Sequence, residues 1–598
     1  MDRNTEIGGK MINRAPSFAL SSNRANLASQ RSTQIQPDGQ ASGIVGTTAD
    51  LILCNANVVT LDSNCPKAQL IAIQGGKVLA VARDEALEEF IGPRTTVIDC
   101  QGKTILPGFN DAHCHFVALA KSLVSLNLGP TKIHSILDIQ KEIRKLAQNL
   151  PSGSWIRAGG YNEFYLAEKR HPSRWDLDKA TSVHPIKLAH RSGHAHVLNS
   201  LALKLVGISK ETPDPPGGII ERDLETGEPN GLLYDMGDFL AKRAPSLSDS
   251  ELSRGIKLAS QELLSLGITS IQDASSGNDI RIWQMFRRWK NEGSLKGRVS
   301  LMLGIEGFNQ LINCHSEGAE RLKNLTQDKL REESTRDSSP TGLRMTESIG
   351  ARMTADSEIH LGGVKIILQE TTGQLSPRWE ELEQIVPQVH QLNLQVAFHA
   401  VEETTVEAAC SILEYVLRES PRPDHRHRIE HCSVCQPEIA KRLASLGAMV
   451  VTQPAFIYFN GDRYLKTVPE RQLRHLYPIA TLLKAGVKVA ASSDCPVVPP
   501  NPLVGIYAAA SRKAETGEAV LPQEGISPLE ALRMYTENAA YASFEETIKG
   551  SITPGKLADL VVLNNDPTRV PAEKIKDLEV EATIIGGEAV WRKKDDLL

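Results

Sequence analysis

Apolar and polar positions follow no period at the start of the chain. Residues 1–48 are rich in Ser, Asn, Gln, Arg and Gly, and neither a helical nor a strand repeat can be drawn through them. Such a segment cannot bury enough apolar surface to offset its ordering entropy, so it reads as a disordered tail. A transit peptide is the rival reading, because residues 10–37 hold four basic residues and no acidic one. Pattern begins near Asp50. "DLILCNANVVTLD" and "AIQGGKVLAVA" are short β-rich runs joined by Gly and Asn turns. "TTVIDCQGKTILPGFNDAHCHF" carries two more, and "GSITPGKLADLVVLNNDP" and "VEATIIGGEAVWRKK" read alike at the far end. Two β-rich ends of one chain can form a single sheet domain, since domain termini often lie close together.

Between them runs a long α/β alternation. Strands are predicted at 186–189, 268–272, 299–303, 364–368, 394–398, 427–429, 448–452 and 487–491, with helices such as 251–266, 379–392 and 437–446 between several of them. This order predicts parallel strands with crossover helices, a (β/α)8 barrel of the TIM type. With the strand leading into His113 there are nine candidates for eight places, so one early strand belongs to an insertion. Residues 316–358 break the alternation with many charges and few large apolar side chains. They read as a solvated, flexible loop, with a mobile lid as the sharper alternative. The division expected is a tail at 1–48, β-sandwich halves at 49–105 and 548–598, and a barrel with insertions at 106–547.

Bulk properties narrow the picture slightly. A chain of 598 residues exceeds the usual single domain, so at least two folding units are expected. A net charge of −5 gives none of the basic excess of a nucleic-acid binder. No apolar run approaches the roughly 20 residues that cross a bilayer. The nine Cys are odd in number and scattered, which suits a reducing compartment, and a cytoplasmic location is expected unless the tail addresses an organelle.

The chemistry starts at "LPGFNDAHCH". His113 and His115 alternate after a strand-like run, so extended backbone points both imidazoles one way, and two neutral imidazoles are half of a Zn²⁺ site. A lone His-x-His is a weak sign. Here it has company, because His399, His431 and Asp494 each stand at the C-terminal end of an apolar run, where barrels build active sites. Singly, each has a plain explanation as a hydrogen-bonded loop residue or a helix N-cap. Lys365, inside "GGVKIILQE", either snorkels from an edge or is buried with a depressed pKa. A buried neutral amine can capture CO₂ as a carbamate whose two oxygens bridge two metal ions. Cys432-x-x-Cys435 invites a redox or zinc reading but has no second pair, and Cys114 and Cys495 are expected to face packing.

His-x-His, Lys, His, His, Asp in this order resembles the amidohydrolase superfamily. "GHAHVLNSLAL", "GITSIQDA", "RIEHCSV", "SSDCPV" and "MYTENAAYASFEETIKGSITPGKLADLVVLNNDP" sharpen the resemblance to the amidohydrolase-3 group with its N-substituted formamide deformylase-like proteins. It runs from about residue 51 to 590. The resemblance implies a barrel beside a composite β-sandwich made from both chain ends, with one or two divalent metals, usually zinc. His113 and His115 would bind the more buried metal, His399 and His431 the second, Lys365 would bridge as a carbamate, and Asp494 would hold metal and handle protons. His194 matches the group's Gly-His and either touches substrate or makes a structural hydrogen bond. Gln369-Glu370 stands where the group commonly has Asp-Gly, and Glu402-Glu403 where it has Gly-Asp.

The expected reaction is hydrolysis of a C–N amide bond, N-formyl or N-acyl, of a small molecule, with Asp494 as general base and then general acid. A homodimer is compatible with the sequence. The rival from another class is a regulatory or binding protein on a retained barrel, because fold does not fix function.

Overall fold

The structure, a computed structural model, describes residues 48–215, 217–313, 358–371 and 374–594. Its centre is a sheet of eight parallel strands in chain order: β1 (Phe109–Cys114), β2 (Ile268–Asp273), β3 (Arg298–Gly304), β4 (Ile359–Ile367), β5 (Val396–Ala400), β6 (Arg428–His431), β7 (Met449–Thr452) and β8 (Val489–Ala491). Just past the strand ends the sheet meets itself. The Asp494 amide donates to the His113 carbonyl and the His115 amide to the Cys495 carbonyl, each at 2.9 Å. Every residue of β1, β2, β3, β6, β7 and β8 is buried, so their apolar residues do not alternate with exposed polar ones, and the polar residues among them face the barrel interior or its neighbours. Helices cover the outside. Asp249–Ser265 opens with a Ser248/Glu251 capping box, and Ile280–Asn291 buries Trp283, Phe286 and Trp289 on one stripe.

Of the nine strand candidates, the one at 186–189 is the insertion strand. Ile186–His190 turns through Gly193, at φ 79°, and pairs antiparallel with Ala195–Leu198. The pair lies inside a separate six-stranded sheet whose edges are Leu126–Asn127 and Ile219–Arg222. The distinguishing signal was the burial pattern, since Ile186–His190 alternates with partly exposed positions whereas most barrel strands are buried throughout. β4 starts at Ile359, earlier than its apolar run, because His360, Gly362 and Gly363 interrupt the pattern. A Cβ on Gly363 would meet the Gln395 carbonyl oxygen at 2.7 Å, so the neighbouring chain needs glycine there.

The chain ends build a composite β-sandwich. Leu560–Leu563 pairs antiparallel with Thr104–Pro107, in a six-stranded sheet that also holds Asn57–Val59 and Val580–Ile585. A second sheet of four strands, with Leu51–Cys54 at its centre, comes wholly from the N-terminal side. Thr104–Pro107 passes into β1 through Gly108, where a Cβ would strike Thr269 Oγ1 at 2.3 Å. Arg298 of β3 pairs with Asp559 at 2.6 Å and ties sandwich to barrel.

The expected tail lies outside the described residues apart from Thr48, and so does the expected loop at 316–358 apart from Glu358, which pairs with Lys290 at 2.6 Å and with Arg298. Among the described residues no helix is long and apolar enough to cross a membrane.

Candidate metal centre

β1 aims Asp111 and His113 to one side, and His115 follows as the residue before the helix Phe116–Leu123. Asp494 closes the ring from the loop after β8. Its Oδ1 lies 3.0 Å from His115 Nε2 and 3.6 Å from His113 Nε2, and ligand atoms of the three residues all fall within 4.8 Å of one another. Asp494 sits at φ 57° and His431 at φ 70°, a region that side chains other than Gly seldom adopt and that clusters at functional sites.

The other predicted residues gather beside this trio. Ring centroids run from His115 to His113 at 5.3 Å, to His431 at 4.9 Å and on to His399 at 4.3 Å. Lys365 stands on β4 next to Ala397 of β5, and its ammonium charge reaches His113, His399 and His431. His194 joins from the insertion, its ring 6.5 Å from that of His399. Its Nδ1 also bonds Asp235 Oδ1 at 2.6 Å, so the structural bond and the place beside the cavity coexist.

Burial sets the charge states. It drives the His113 imidazole down to about 3, with Lys365 pushing the same way and Glu430 opposing. Burial likewise depresses His399 and His431, leaving these rings neutral with lone pairs to give. Lys365 falls to about 8, chiefly from burial. Burial works to raise Asp494, but the His115 hydrogen bond and the surrounding imidazoles outweigh it and hold the carboxyl ionised.

Several supporting residues were not singled out from the sequence. Glu430 accepts from His113 Nδ1 and pairs with the buried Arg428, which also reaches Gln272 Oε1 at 2.5 Å. Gln453 Oε1 holds His431 Nδ1 at 2.9 Å, and Ser275 Oγ meets His115 Nδ1 at 3.0 Å. Only Arg428 and Glu430 left a signal, two charged residues at strand spacing inside a buried run. Fixing one ring nitrogen turns the other toward the centre, the usual work of groups behind a metal ligand.

Two buried polar atoms here have no hydrogen-bond partner among the described residues, Lys365 Nζ and His431 Nε2. Orphaned groups of this kind cost about 1–3 kcal/mol each unless something bonds them. Neutral imidazoles with a carboxylate suit a divalent ion of the zinc kind, so the residues present fit a metal. Cys114, Cys432, Cys435 and Cys495 are all buried in the apolar core, and among the described residues they join no metal-holding cluster. Gln369–Thr371 forms a small hairpin with Gln374–Ser376, and Glu403 accepts from Gln436 Nε2.

Above the centre a cavity of about 420 Å³ opens between barrel mouth and insertion. His194, His399, His431 and Asp494 line it, and Phe456 and Tyr464 form part of an apolar wall.

The amidohydrolase family profile matches residues 96–591. The chain belongs to the amidohydrolase family. An N-substituted formamide deformylase of Arthrobacter pascens is 28% identical over 545 residues, covering 90% of this chain and 97% of that protein. Protein LONG AFTER FAR-RED 3 of Arabidopsis thaliana is 28% identical over 91% of this chain and 92% of its own length. A putative amidohydrolase of Bacillus subtilis (strain 168) is 27% identical over 90% and 98%. Among solved structures, an uncharacterized metal-dependent hydrolase from Pyrococcus horikoshii superposes with a TM-score of 0.65 at 21% identity, over 88% of this chain and 99% of that one. That likeness shows the fold. As an amidohydrolase the chain is a hydrolase of carbon–nitrogen bonds that uses a divalent metal.

Proposed function

We propose that this amidohydrolase cleaves the C–N bond of an N-acyl amine with a small acyl group, formyl first among them. The convergence of His113 Nε2 and His115 Nε2 on Asp494 Oδ1, beside the unpartnered Lys365 Nζ and His431 Nε2, carries the reading. The similarity to an N-substituted formamide deformylase along nearly the whole of both chains supports the choice of acyl group. His113, His115 and Asp494 would hold one zinc ion, and His399 and His431 would hold a second. Lys365, as a carbamate formed from its amine and CO₂ with loss of a proton, would supply further oxygen ligands.

A divalent ion bound here lowers the pKa of a water from about 15.7 toward about 7 and polarises the scissile carbonyl. Asp494, ionised and set between two imidazoles, accepts the attacking water's proton and returns it to the leaving amine. Glu430 and Gln453 keep His113 and His431 in the tautomers that face the centre. The apolar wall takes the substituent on the amine. A binding protein on a retained barrel gives no reason to keep Lys365 Nζ and His431 Nε2 buried without partners.

Metal analysis of the purified protein is expected to find one or two equivalents of zinc, reduced in His113→Ala and His431→Ala. Chelation should abolish hydrolysis of N-formyl amines, and added zinc should restore it. A protein that carries no metal and stays inert after zinc is added back overturns the proposal.

A further inference from the structure

Two guanidinium groups in the cavity wall have no use in the chemistry above. Arg191 follows the insertion strand Ile186–His190, and Arg463 lies in the helix Ala455–Thr467; both line the cavity that His399, His431 and Asp494 share. Arg191 is partly buried. Its Nε donates to the Val497 carbonyl at 2.8 Å, and the Val497 amide donates to the Asp494 carbonyl at 2.9 Å. The guanidinium is therefore fixed to the turn that presents Asp494, and it lies 5.4 Å from the Phe459 ring centre. Arg463, also partly buried, sits 5.0 Å from the Tyr464 ring centre. Lys466, one turn on in the same helix, reaches the Phe164 ring at 5.7 Å from the insertion side.

Neither cation has a carboxylate at contact distance among the described residues, although the charge of Glu515 reaches Arg191 from further off. Among the same residues the Nη atoms of both make no hydrogen bond. Glu402, which lines the same cavity, pairs with neither. Asp462, the neighbour of Arg463, accepts instead from Thr516 Oγ1. Burial depresses the Arg191 guanidinium, Tyr165, Tyr464 and Glu515 oppose it, and the charge of Arg463 adds to the lowering, so the two guanidinium groups share one electrostatic environment. Partly desolvated like charges without a partner are costly. Arginine is also the residue whose planar fork grips a carboxylate with two parallel bonds.

We propose that Arg191 and Arg463 form an anion subsite, so that the amide this enzyme hydrolyses bears a carboxylate on the substituent of its nitrogen. The proposal rests on the amide-hydrolase reading above and deepens it. The amide group lies at the metal donors, the carbon chain runs along the apolar wall, and the carboxylate meets the guanidinium pair. Chain length then sets specificity.

The test compares N-formylglycine, N-formyl-γ-aminobutyrate and N-formyl-ε-aminocaproate with neutral N-formylalkylamines of matching length on the metal-loaded full chain. At the best length the acid should exceed its neutral partner in kcat/KM by roughly ten- to a hundred-fold, mostly through KM. Arg463→Met should bring that ratio to within about twofold of unity, Arg463→Lys should keep part of it, and Arg463→Glu should invert it. Thermal melts check that each variant is folded. Equal handling of acid and neutral compound at every length, or a ratio unmoved in both Arg463→Met and Arg463→Glu, overturns the subsite while leaving the hydrolase reading intact. If no compound is turned over, the N-formyl substrate reading fails. Calorimetry with the same pairs then decides the subsite: an acid preference lost in Arg463→Met supports it, and equal affinities overturn it.

Discussion

Asp494 is the residue on which chemistry and architecture meet. Its backbone closes the barrel against His113, while one carboxylate oxygen faces two imidazole nitrogens. Asp494→Asn keeps the shape and removes the proton acceptor, so kcat should fall by about 10²–10⁴. The imidazoles and Lys365 remain, so metal content should stay near that of the parent. KM should move no more than a few-fold, because the apolar wall is untouched. Steady-state kinetics and metal analysis on the same sample check this, and a full-rate Asp494→Asn protein with its metal bound refutes the role. The residues brought together here were legible because each ends or interrupts an apolar run, an exception a sequence displays openly. Their supports were not. His113 and Glu430 are 317 positions apart, and nothing near either residue announces the pairing. Asp235, which holds His194, follows an ordinary strand end, "GLLYD".

At the scale of elements, the barrel strands were readable as apolar runs and the error lay in counting them. Ile186–His190 looks like a barrel strand because burial in any sheet selects the same residues. Its hairpin with Ala195–Leu198 and its half-exposed face assign it to the insertion, and both are properties of contacts between elements. Close approach of backbones is equally silent in a sequence. Gly304 ends β3 where the loop after β2 crosses, and a Cβ there would lie 1.7 Å from the Ser276 carbonyl oxygen. The Gly304 amide also donates to the Asn278 carbonyl at 2.9 Å, fastening the loop whose Ser275 orients His115. Gly304→Ala must push this loop away. It should cost at least about 1–3 kcal/mol, the usual cost of overpacking, and weaken metal retention in the variant that still folds. Denaturant melts and metal analysis read the two effects. An unchanged unfolding midpoint with unchanged metal content would show that the loop yields freely.

For the molecule as a whole, buried neutral histidine is a recurring device, and it ties stability to pH. Burial is the leading cause that lowers His113 and His196 to about 3 and His399, His427 and His431 below their usual value of 6.5. These rings lie in the metal centre, at the start of β6 and in the insertion sheet, so every layer but the sandwich contributes. Each stays neutral in the folded chain below pH 6.5 while the unfolded chain takes up a proton. The unfolded state then binds more protons, and stability falls as pH falls through that window. His194 runs the other way. Its bond to Asp235 raises its pKa, so its share is present below 6.5 and lost as pH rises through the folded value. Asp111, which burial raises to about 6, opposes them in the same window, but the lowered rings outnumber the two, so the net slope is set by them. Each proton taken up only on unfolding is worth about 1.4 kcal/mol per pH unit. Denaturation of the metal-stripped protein should therefore show stability dropping steeply from about pH 6.5 to about pH 5. His196 isolates the effect, since it is 7% exposed, belongs to the strand Ala195–Leu198 and stands apart from the metal donors. His196→Gln should flatten the slope by about 1.4 kcal/mol per pH unit over that window, whatever it does to stability at neutral pH. A slope unchanged in His196→Gln would mean that the imidazole is already protonated in the fold.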